Sequence, residues 1–429
     1  MERIEAGRFL CDFLSGKKIP EARLKKLSLA DWESLVVLAR RFKVGGLFYR
    51  EIKSTNFLDE FIPADVRNRL RDEYRNRATI NTSIFFEASK VIRFFDDNQL
   101  PVIALKGLAL AKSIYGDIAL RPMSDLDLLV KEEDLVKAGR ILLTLGYNQC
   151  SPAWESTTKT LHHHLPSFRN KNGVSIELHW NIVDLNSSIK VDLDGLWERA
   201  CFIKVDNLDV RVFSPEDLFL HLCIHACGHL QSGIDLIPLC DLAGLIKTSA
   251  DQIDWQIVNQ RAIGWGGQKC VYLMLLLVRE LLGALLSDKI MSAIKPSDYQ
   301  PVFFEEALEQ IFDLSPDILS NVVYREISES GQLIAITVGQ LSNIKKIKGV
   351  KGKVLALLKK AFPPKEYLIR FYPVSVSSPK IYLYYLFRLG HLTVYYTLVL
   401  LRLFRRDQSV IKAVHRAQRV TAVSDWMFS

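Results

Sequence analysis

Two aspartates stand one residue apart in the stretch LRPMSDLDLLV, which runs from Leu120 to Val130. The apolar residues around them predict a short strand. Alternate side chains of a strand point to the same face, so Asp125 and Asp127 would share a face, with Cα atoms roughly 6.6 Å apart. Two uncompensated charges in a half-buried strand are costly and shift each other's pKa. A divalent cation would remove the conflict, and Mg²⁺ suits oxygen ligands and phosphate substrates.

A third carboxylate follows in the stretch VSIELHW, which also predicts a strand. In that strand Ser175, Glu177 and His179 share one face. Two metal ions about 3.5 to 4 Å apart can activate an attacking oxygen and stabilise a leaving one, and such a site needs more than one pair of aspartates. Glu177 is therefore predicted to complete the metal site and to accept the proton of an attacking hydroxyl. His179 is a candidate to orient Glu177 or to contact substrate.

The stretch ALKGLAL places Lys106 and Gly107 where a strand passes into a helix. Such a junction offers backbone N–H groups to a phosphate, and the lysine adds a full charge. Arg121 precedes Asp125 by four residues and could bind a phosphate oxygen, or it could pair with Asp125 structurally. Together with Ser124, these residues are the candidate nucleotide-binding residues. Lys106 has the alternative role of a surface residue at a helix start.

Histidines occur in two groups. His221, His225 and His229 follow at i, i+4 and i+8 on one helical face, a spacing that can bind zinc, but the intervening glutamate of a zinc protease is missing. A face that lines a cleft or packs on the core is favoured, and His225 is a candidate substrate contact. In the run HHH only His162 and His164 would share a face of a strand, and His164 is a second candidate substrate contact.

The elements around these residues alternate between strand and helix. LPVIALKG and SDLDLLV predict strands, LALAKSIYG and KEEDLVKAGRILLTLGY predict helices, and hairpins are predicted at LHHHLPSFRNKNGVSIELHW and CFIKVDNLDVRVF. An α/β or α+β core is therefore expected from about Leu100 to Phe213. Helices are expected before it, one of them starting at Ser28, and after it, where Ser214 and Pro215 open a helix.

Length and composition indicate a globular chain of several domains. The 429 residues suggest two or three domains, and the formal net charge of +8 favours anionic partners. Seven cysteines without a C-x-x-C pair argue against a disulfide framework or a thiolate zinc site. The first residues show no secretory signal, so a cytoplasmic location is predicted.

The most apolar segment is Ile381–Arg406, which Arg388, His391 and Arg402 interrupt. This pattern is typical of an amphipathic helix and disfavours a membrane span. The helix would dock on the protein's own core or lie on a membrane, which would make the protein peripheral at the inner membrane surface. The basic stretch Lys345–Lys360 is predicted to form a solvated helix face, with contact to nucleic acid or anionic lipid as the alternative. The stretch lacks interleaved aromatic residues, which disfavours nucleic acid as a partner.

In their order, these motifs resemble the nucleotidyltransferase superfamily that includes DNA polymerase β, and more closely its bacterial branch of uncharacterised nucleotidyltransferases. The matching features are LKGLALAKSIYGDIALRPMSDLDLLV, a helix ending LGY, IELHW, SPEDLFLHLCIHACGHL and a later CDLAGLI, from about Leu100 to Leu245. In that superfamily two aspartates and a later acidic residue bind Mg²⁺ and direct a nucleophile onto the α-phosphate of a nucleoside triphosphate (NTP), releasing pyrophosphate. The resemblance assigns these roles to Asp125, Asp127 and Glu177.

The resulting fold class is α+β, with a small mixed-sheet nucleotidyltransferase-like core flanked by helical regions. The expected parts are an N-terminal helical region, the catalytic core, a helical domain that closes the cleft and selects the acceptor, and a basic and amphipathic helical C-terminal region, over residues 1–98, 99–213, 214–345 and 346–429. One departure from the superfamily concerns the phosphate. Lys106-Gly107 stands where Gly-Ser is common, so the usual serine contact to phosphate is missing.

The predicted function is Mg²⁺-dependent transfer of a nucleoside monophosphate (NMP) from an NTP to a hydroxyl-bearing acceptor, with one or two Mg²⁺ ions. The acceptor could be a small molecule, a peptide, a protein or a sugar. The alternatives are a template-independent enzyme that adds nucleotides to RNA, which would bind RNA with steep salt dependence, and a non-catalytic module that binds nucleotide or serves as a membrane-surface scaffold.

Overall fold

The computed structural model of the protein describes residues 1, 3–54, 61–149, 163–230, 235–312, 358, 362, 365, 378–390, 405, 419 and 421–429. The chain divides into two compact units, one of Met1–Asp313 with Trp426–Ser429 and one of Leu314–Asp425. The four parts expected from the sequence stay a prediction, because this division separates larger units.

The first unit begins with helices, as the sequence predicts. Ser28 caps the third of them, since its hydroxyl accepts the N–H of Asp31 at 3.2 Å while the Asp31 carboxylate accepts the N–H of Ser28 at 2.9 Å. The longest helix among the described residues begins directly after Pro63. Proline has no backbone N–H to donate to a preceding turn, so it favours a helix start at this point. The helices are α1 (Arg3–Leu14), α2 (Glu21–Leu24), α3 (Leu29–Arg41), α4 (Gly45–Ser54) and α5 (Ala64–Asp97).

A small mixed sheet follows α5, which confirms the α+β fold class. Its strands are β1 (Ile103–Ala104), β2 (Asp125–Leu129), β3 (Asn148–Gln149), β4 (Phe168–Arg169) and β5 (Ser175–His179), in the order β1-β2-β5-β4-β3. The central pair β2–β5 is parallel, and the other pairs are antiparallel. Helices α6 (Gly107–Ser113) and α7 (Leu135–Thr144) lie before and after β2 in the chain.

Both predicted hairpins are present. Between β4 and β5 the Asn170 side chain accepts the N–H groups of Asn172 and Val174, each at 3.0 Å, and Gly173 has a φ of 82° that suits only glycine well. After the short helix α8 (Leu193–Glu198), strands β6 (Cys201–Val205) and β7 (Leu208–Val212) form the second hairpin.

Helices fill the rest of the first unit. Ser214 accepts the N–H of Asp217 at 3.3 Å through its hydroxyl, so the predicted serine cap is confirmed. The helices are α9 (Pro215–Leu230), α10 (Leu236–Thr248), α11 (Trp255–Gly264), α12 (Gln268–Leu282), α13 (Asp288–Ile294) and α14 (Pro301–Phe312).

One face of the sheet is apolar and packs against α5 and α7. Leu126 and Leu128 of β2 and Ile176 and Leu178 of β5 are buried there with residues of both helices. A slip of one residue would turn all four side chains to the opposite face, so this burial fixes the register of β2 and β5. The carboxylates of both strands therefore share the other face, as the sequence predicts.

The loop that enters β2 is held by α5. Asn81, which is fully buried, donates its side-chain amide to the backbone oxygens of Ile118 and, at 2.8 Å, Arg121. Two turns earlier on the same helix face, Tyr74 donates its hydroxyl to Asp117 at 2.6 Å. These bonds position the residues that precede Asp125.

Predictions for the C-terminal third fall largely outside the described residues. Of the segment 381–406, the structure describes 381–390, which is helical, and 405; of the basic stretch it describes residue 358. No described helix has both the length and the apolar character that crossing a membrane requires. The amphipathic helix and its membrane contact stay predictions.

Candidate active site

The parallel pairing of β2 with β5 places carboxylates side by side. Asp127 is the register partner of Glu177, and Asp125 is the partner of Ser175. Asp125 and Asp127 lie on one face of β2, because side chains of a strand alternate. The two strands are adjacent in the sheet although their residues lie some fifty positions apart in the chain, so the fold brings the three predicted acids to one face.

His179 joins this group from the end of β5. Its Nε2 atom lies 3.1 Å from Oδ1 of Asp127 and 3.6 Å from Oε2 of Glu177. Among the described residues, Asp127, Glu177 and His179 form a group whose ligand atoms all lie within 4.8 Å of one another. Burial lowers the pKa of His179, but its hydrogen bonds to Asp127 and Glu177 outweigh burial and raise the pKa above its usual value.

Lys106 contacts the other oxygen of Asp127. Its Nζ atom lies 3.0 Å from Oδ2 of Asp127, and the lysine side chain is only 17% exposed. Burial raises the pKa of Asp127, but the charge of Lys106 and the hydrogen bond with His179 hold it well below its usual range. Asp127 is therefore ionised at neutral pH, with both oxygens in contact with a basic side chain.

The pKa of the second aspartate, Asp125, is shifted in the opposite direction to that of Asp127. Asp125 is half-buried, and burial together with the neighbouring charge of Asp127 raises its pKa, against the smaller effect of Lys106. The Ser124 side chain hydrogen-bonds Asp125, which partly offsets this rise. The two aspartates of one strand face thus have pKa values shifted in opposite directions, because Lys106 and His179 compensate the charge of Asp127 while burial and that charge act on Asp125.

Arg121 is engaged with an acid from the helical region. Its guanidinium binds Asp241 of α10 with Nε at 2.9 Å from Oδ1 and Nη2 at 2.8 Å from Oδ2, and Tyr115 donates its hydroxyl to the same carboxylate at 2.7 Å. Both Arg121 and Asp241 are buried. The remaining nitrogen, Nη1, faces Gly107, at 3.3 Å from the position that a Cβ there would occupy. The pair anchors α10 to the loop before β2.

The histidines of α9 extend from the interior toward the surface. His221 is buried, His225 is half-buried and His229 is exposed, and neighbouring rings lie 6.0 and 4.5 Å apart. Nε2 of His225 lies 3.3 Å from Nζ of Lys106. Burial, followed by the charge of Lys106, holds the pKa of His225 well below its usual value, so the neutral ring accepts a hydrogen bond from the lysine.

Comparison with known proteins agrees with this geometry. The model of a family described as uncharacterised nucleotidyltransferase matches residues 28–283, which is more than half of the chain. The chain belongs to this nucleotidyltransferase family. No curated protein and no solved structure matches it.

The matched span includes every acid placed at the site, and the site fits the divalent metal that nucleotidyltransferases typically use. Asp125, Asp127 and Glu177 supply carboxylate oxygens from two adjacent strands, and His179 supplies a nitrogen within 4.8 Å of two of them. Nζ of Lys106 lies 3.0 Å from Oδ2 of Asp127, so one of the carboxylates already has a cationic partner.

The alternation expected of a strand does not describe the positions of the histidines in the run HHH. His164 forms only an isolated bridge with His179, and the ring centroids of His163 and His164 lie 5.3 and 5.1 Å from that of His179. Both rings thus contact His179, whereas strict alternation would have separated them. Nδ1 of His164 is 4.0 Å from Oε2 of Glu177. His162 lies outside the described residues.

Two residues of this nucleotidyltransferase site escaped sequence reasoning. Asp241 lies in the apolar helix segment LIPLCDLAGLI. A lone acid in such a helix predicts a buried basic partner, so the sequence did carry a signal for this residue. His163 lies beside His179 and donates Nδ1–H to Asp184 at 2.7 Å. Nothing in the local pattern distinguishes His163 from its neighbours.

Proposed function

We propose that this nucleotidyltransferase transfers an NMP group from an NTP to a hydroxyl-bearing acceptor in an Mg²⁺-dependent reaction and releases pyrophosphate. The observation that carries the proposal is the register of β2 and β5, which makes Asp127 and Glu177 direct neighbours with Asp125 on the same face. Three acids converging on one face suit metal-assisted phosphoryl chemistry better than a purely structural role, since clustered carboxylates are costly in a partly buried sheet and the basic contacts of Lys106 and His179 centre on Asp127.

Asp125, Asp127 and Glu177 would hold one or two Mg²⁺ ions. When bound, the cation neutralises charge on the phosphates and favours ionisation of the attacking hydroxyl. The depressed pKa of Asp127 supports this role, because a carboxylate that stays ionised is ready to bind a cation.

Lys106 and Gly107 would receive the phosphates. The Lys106 ammonium, which lies 3.0 Å from Asp127 and 3.3 Å from His225, would contact a phosphate bound beside the acids. A Cβ at position 107 would lie 2.8 Å from Sδ of Met123, so a side chain there would require Met123 to shift. Without a Cβ, the backbone of Gly107 would also be open to close approach by a phosphate.

The transfer would proceed by in-line displacement at the α-phosphorus. The acceptor hydroxyl gives its proton to Glu177, its oxygen forms the new bond to phosphorus, and the bond from phosphorus to the bridging oxygen of the β-phosphate breaks, so that pyrophosphate leaves with that electron pair. The hydrogen bond from His179 lowers the pKa of Glu177, so this carboxylate is ionised and can accept a proton at neutral pH.

The acceptor would enter beside α9. His225 contacts Lys106, and Lys106 contacts Asp127, so the face of α9 borders the proposed phosphate site. This placement supports the helical region that follows the sheet as the part that selects the acceptor. A small molecule, a peptide, a protein or a sugar would each supply the required hydroxyl.

The direct test is incubation of the purified full chain with each α-labelled NTP, Mg²⁺ and a cell extract. We expect pyrophosphate release and transfer of label to one component of the extract, and loss of both in Asp127→Asn. Asp209→Asn is the matched control, because Asp209 is exposed and pairs with Lys204 on the β6–β7 hairpin. Undiminished transfer by Asp127→Asn would refute the mechanism.

A further inference from the structure

We infer that His179 is a nitrogen ligand of the metal site, so that this nucleotidyltransferase binds a first-row transition ion such as Mn²⁺ more tightly than Mg²⁺. The inference rests on the metal site of the proposed function and goes beyond it by adding an imidazole to the carboxylates. Mg²⁺ prefers oxygen ligands, whereas imidazole nitrogen suits transition metals.

The distances around His179 match those between ligands of one ion. Two atoms that each lie about 2.1 Å from a metal at a right angle are roughly 3.0 Å apart, and at a tetrahedral angle they are roughly 3.4 Å apart. Nε2 of His179 lies 3.1 Å from Asp127 Oδ1 and 3.6 Å from Glu177 Oε2. The three atoms can therefore meet one ion with only small side-chain adjustments.

The backbone holds the imidazole in this position. His179 is the last residue of β5, its carbonyl oxygen accepts the N–H of Val130 at 2.9 Å, and it forms a bridge with His164 on the other side. The residue is only 5% exposed. A buried residue whose backbone is held on both sides is preorganised to act as a ligand.

The second ring nitrogen does not fix the protonation state of the imidazole. Nδ1 of His179 is buried and has no hydrogen-bond partner within the described structure. The group that faces Nε2 therefore decides which nitrogen carries the proton. Without metal, Nε2 can donate to Asp127; as a ligand, Nε2 would be deprotonated and Nδ1 would carry the proton.

A structural role for His179 is the competing explanation. In that case the ring would only donate a hydrogen bond to Asp127 and orient it, while the metal would contact carboxylates alone. Activity measurements do not separate these roles, because both predict a loss of transfer when the histidine is replaced. A magnetic readout of the atoms bound to the metal separates them.

The experiment is electron spin-echo envelope modulation on the full chain loaded with Mn²⁺, without nucleotide. We expect ¹⁴N modulation from a directly bound imidazole, its loss in His179→Asn, and its retention in His163→Asn, whose ring lies 5.3 Å from that of His179 but outside the ligand group. Titration should show that His179→Asn weakens Mn²⁺ binding roughly ten- to hundredfold and changes Mg²⁺ binding by less than about threefold.

Wild-type protein labelled with ¹⁵N-histidine gives a version of the test without any substitution, for use if His179→Asn does not fold. The nitrogen modulation should change to that of ¹⁵N. Bound Mn²⁺ without nitrogen modulation would overturn the histidine ligand and leave NMP transfer intact as a proposal. A chain that binds neither Mn²⁺ nor Mg²⁺, with or without NTP, would overturn the ligand and the metal-dependent function together.

Discussion

Asp127 and Glu177 are direct neighbours on the parallel strands β2 and β5, and Nε2 of His179 lies 3.1 Å from the first and 3.6 Å from the second. In the proposed mechanism the two acids have different tasks. Asp127, whose two oxygens contact His179 and Lys106, would hold a cation. The Glu177 side chain is 28% exposed, so it remains accessible to an acceptor hydroxyl.

Glu177→Gln is expected to lower the rate of NMP transfer by about a hundredfold or more, because the amide neither accepts the proton nor supplies a charged ligand. The change preserves size, so the free energy of unfolding should change little. Steady-state release of pyrophosphate measures the effect. Glu133→Gln, on an exposed turn before α7, is the control and should behave as wild type. Equal rates for the two variants would exclude Glu177 from the reaction.

Lys106→Gln is expected to raise the KM for NTP and to shift the acid limb of the pH–rate profile to higher pH. The sign follows from Asp127, whose pKa Lys106 holds down; without the ammonium that pKa rises, so the carboxylate becomes protonated at a higher pH. Initial rates across the pH range for wild type and variant test both effects.

The matched control for Lys106 is Lys112→Gln, because Lys112 lies on α6, the helix that Lys106 directly precedes, and pairs with Asp206 at the surface. Its KM and acid limb should stay at the wild-type values. If Lys106→Gln also kept both values, Lys106 would have no role at the phosphates or at Asp127.

Asp241→Asn is expected to destabilise the fold by about 3–5 kcal/mol, because it leaves the buried Arg121 guanidinium without a charged partner. The control is Asp209→Asn, which removes an exposed pair with Lys204 and should cost no more than about 1 kcal/mol. Urea unfolding of both variants measures the difference. Similar free energies of unfolding would show that the Arg121–Asp241 pair does not anchor α10.

The parts of the site that the sequence predicted depend on local signals. The alternation in SDLDLLV and VSIELHW placed the acids and the leucines on opposite faces, and the core formed by Leu126 and Leu178 bears this out. Caps at Ser28 and Ser214 were predicted from residues within one helical turn.

The remaining contacts join residues that are distant in the chain, and no local pattern specifies them. Arg121 pairs with Asp241 across 120 positions, and Lys106 contacts His225 across 119. The sequence could show that Arg121 needs a partner or a ligand, but the choice depends on how α10 packs against the loop before β2. The position of His163 likewise depends on the isolated bridge formed by His164.

The stability of the protein at acid pH is expected to depend on His221. Burial, reinforced by the charges of Lys106 and His179, lowers the pKa of His221 from 6.5 to about 3. The unfolded chain therefore binds a proton below about pH 6.5 that the folded chain refuses until about pH 3, so stability falls as the pH decreases through this window. At about pH 5 the loss should reach about 2 kcal/mol relative to pH 7.5.

His221→Phe should remove this part of the acid sensitivity, because a phenyl ring does not titrate. The replacement suits the site, since the His221 ring packs edge-on against Phe213 at 5.6 Å and neither of its nitrogens has a hydrogen-bond partner within the described structure. Urea unfolding at about pH 7.5 and about pH 5 should show a smaller loss than in wild type, by about 2 kcal/mol. His229→Gln, at the exposed end of the same helix face, should retain most of the wild-type loss. Identical acid dependence in His221→Phe and wild type would mean that His221 is not the neutral buried group that opposes protonation.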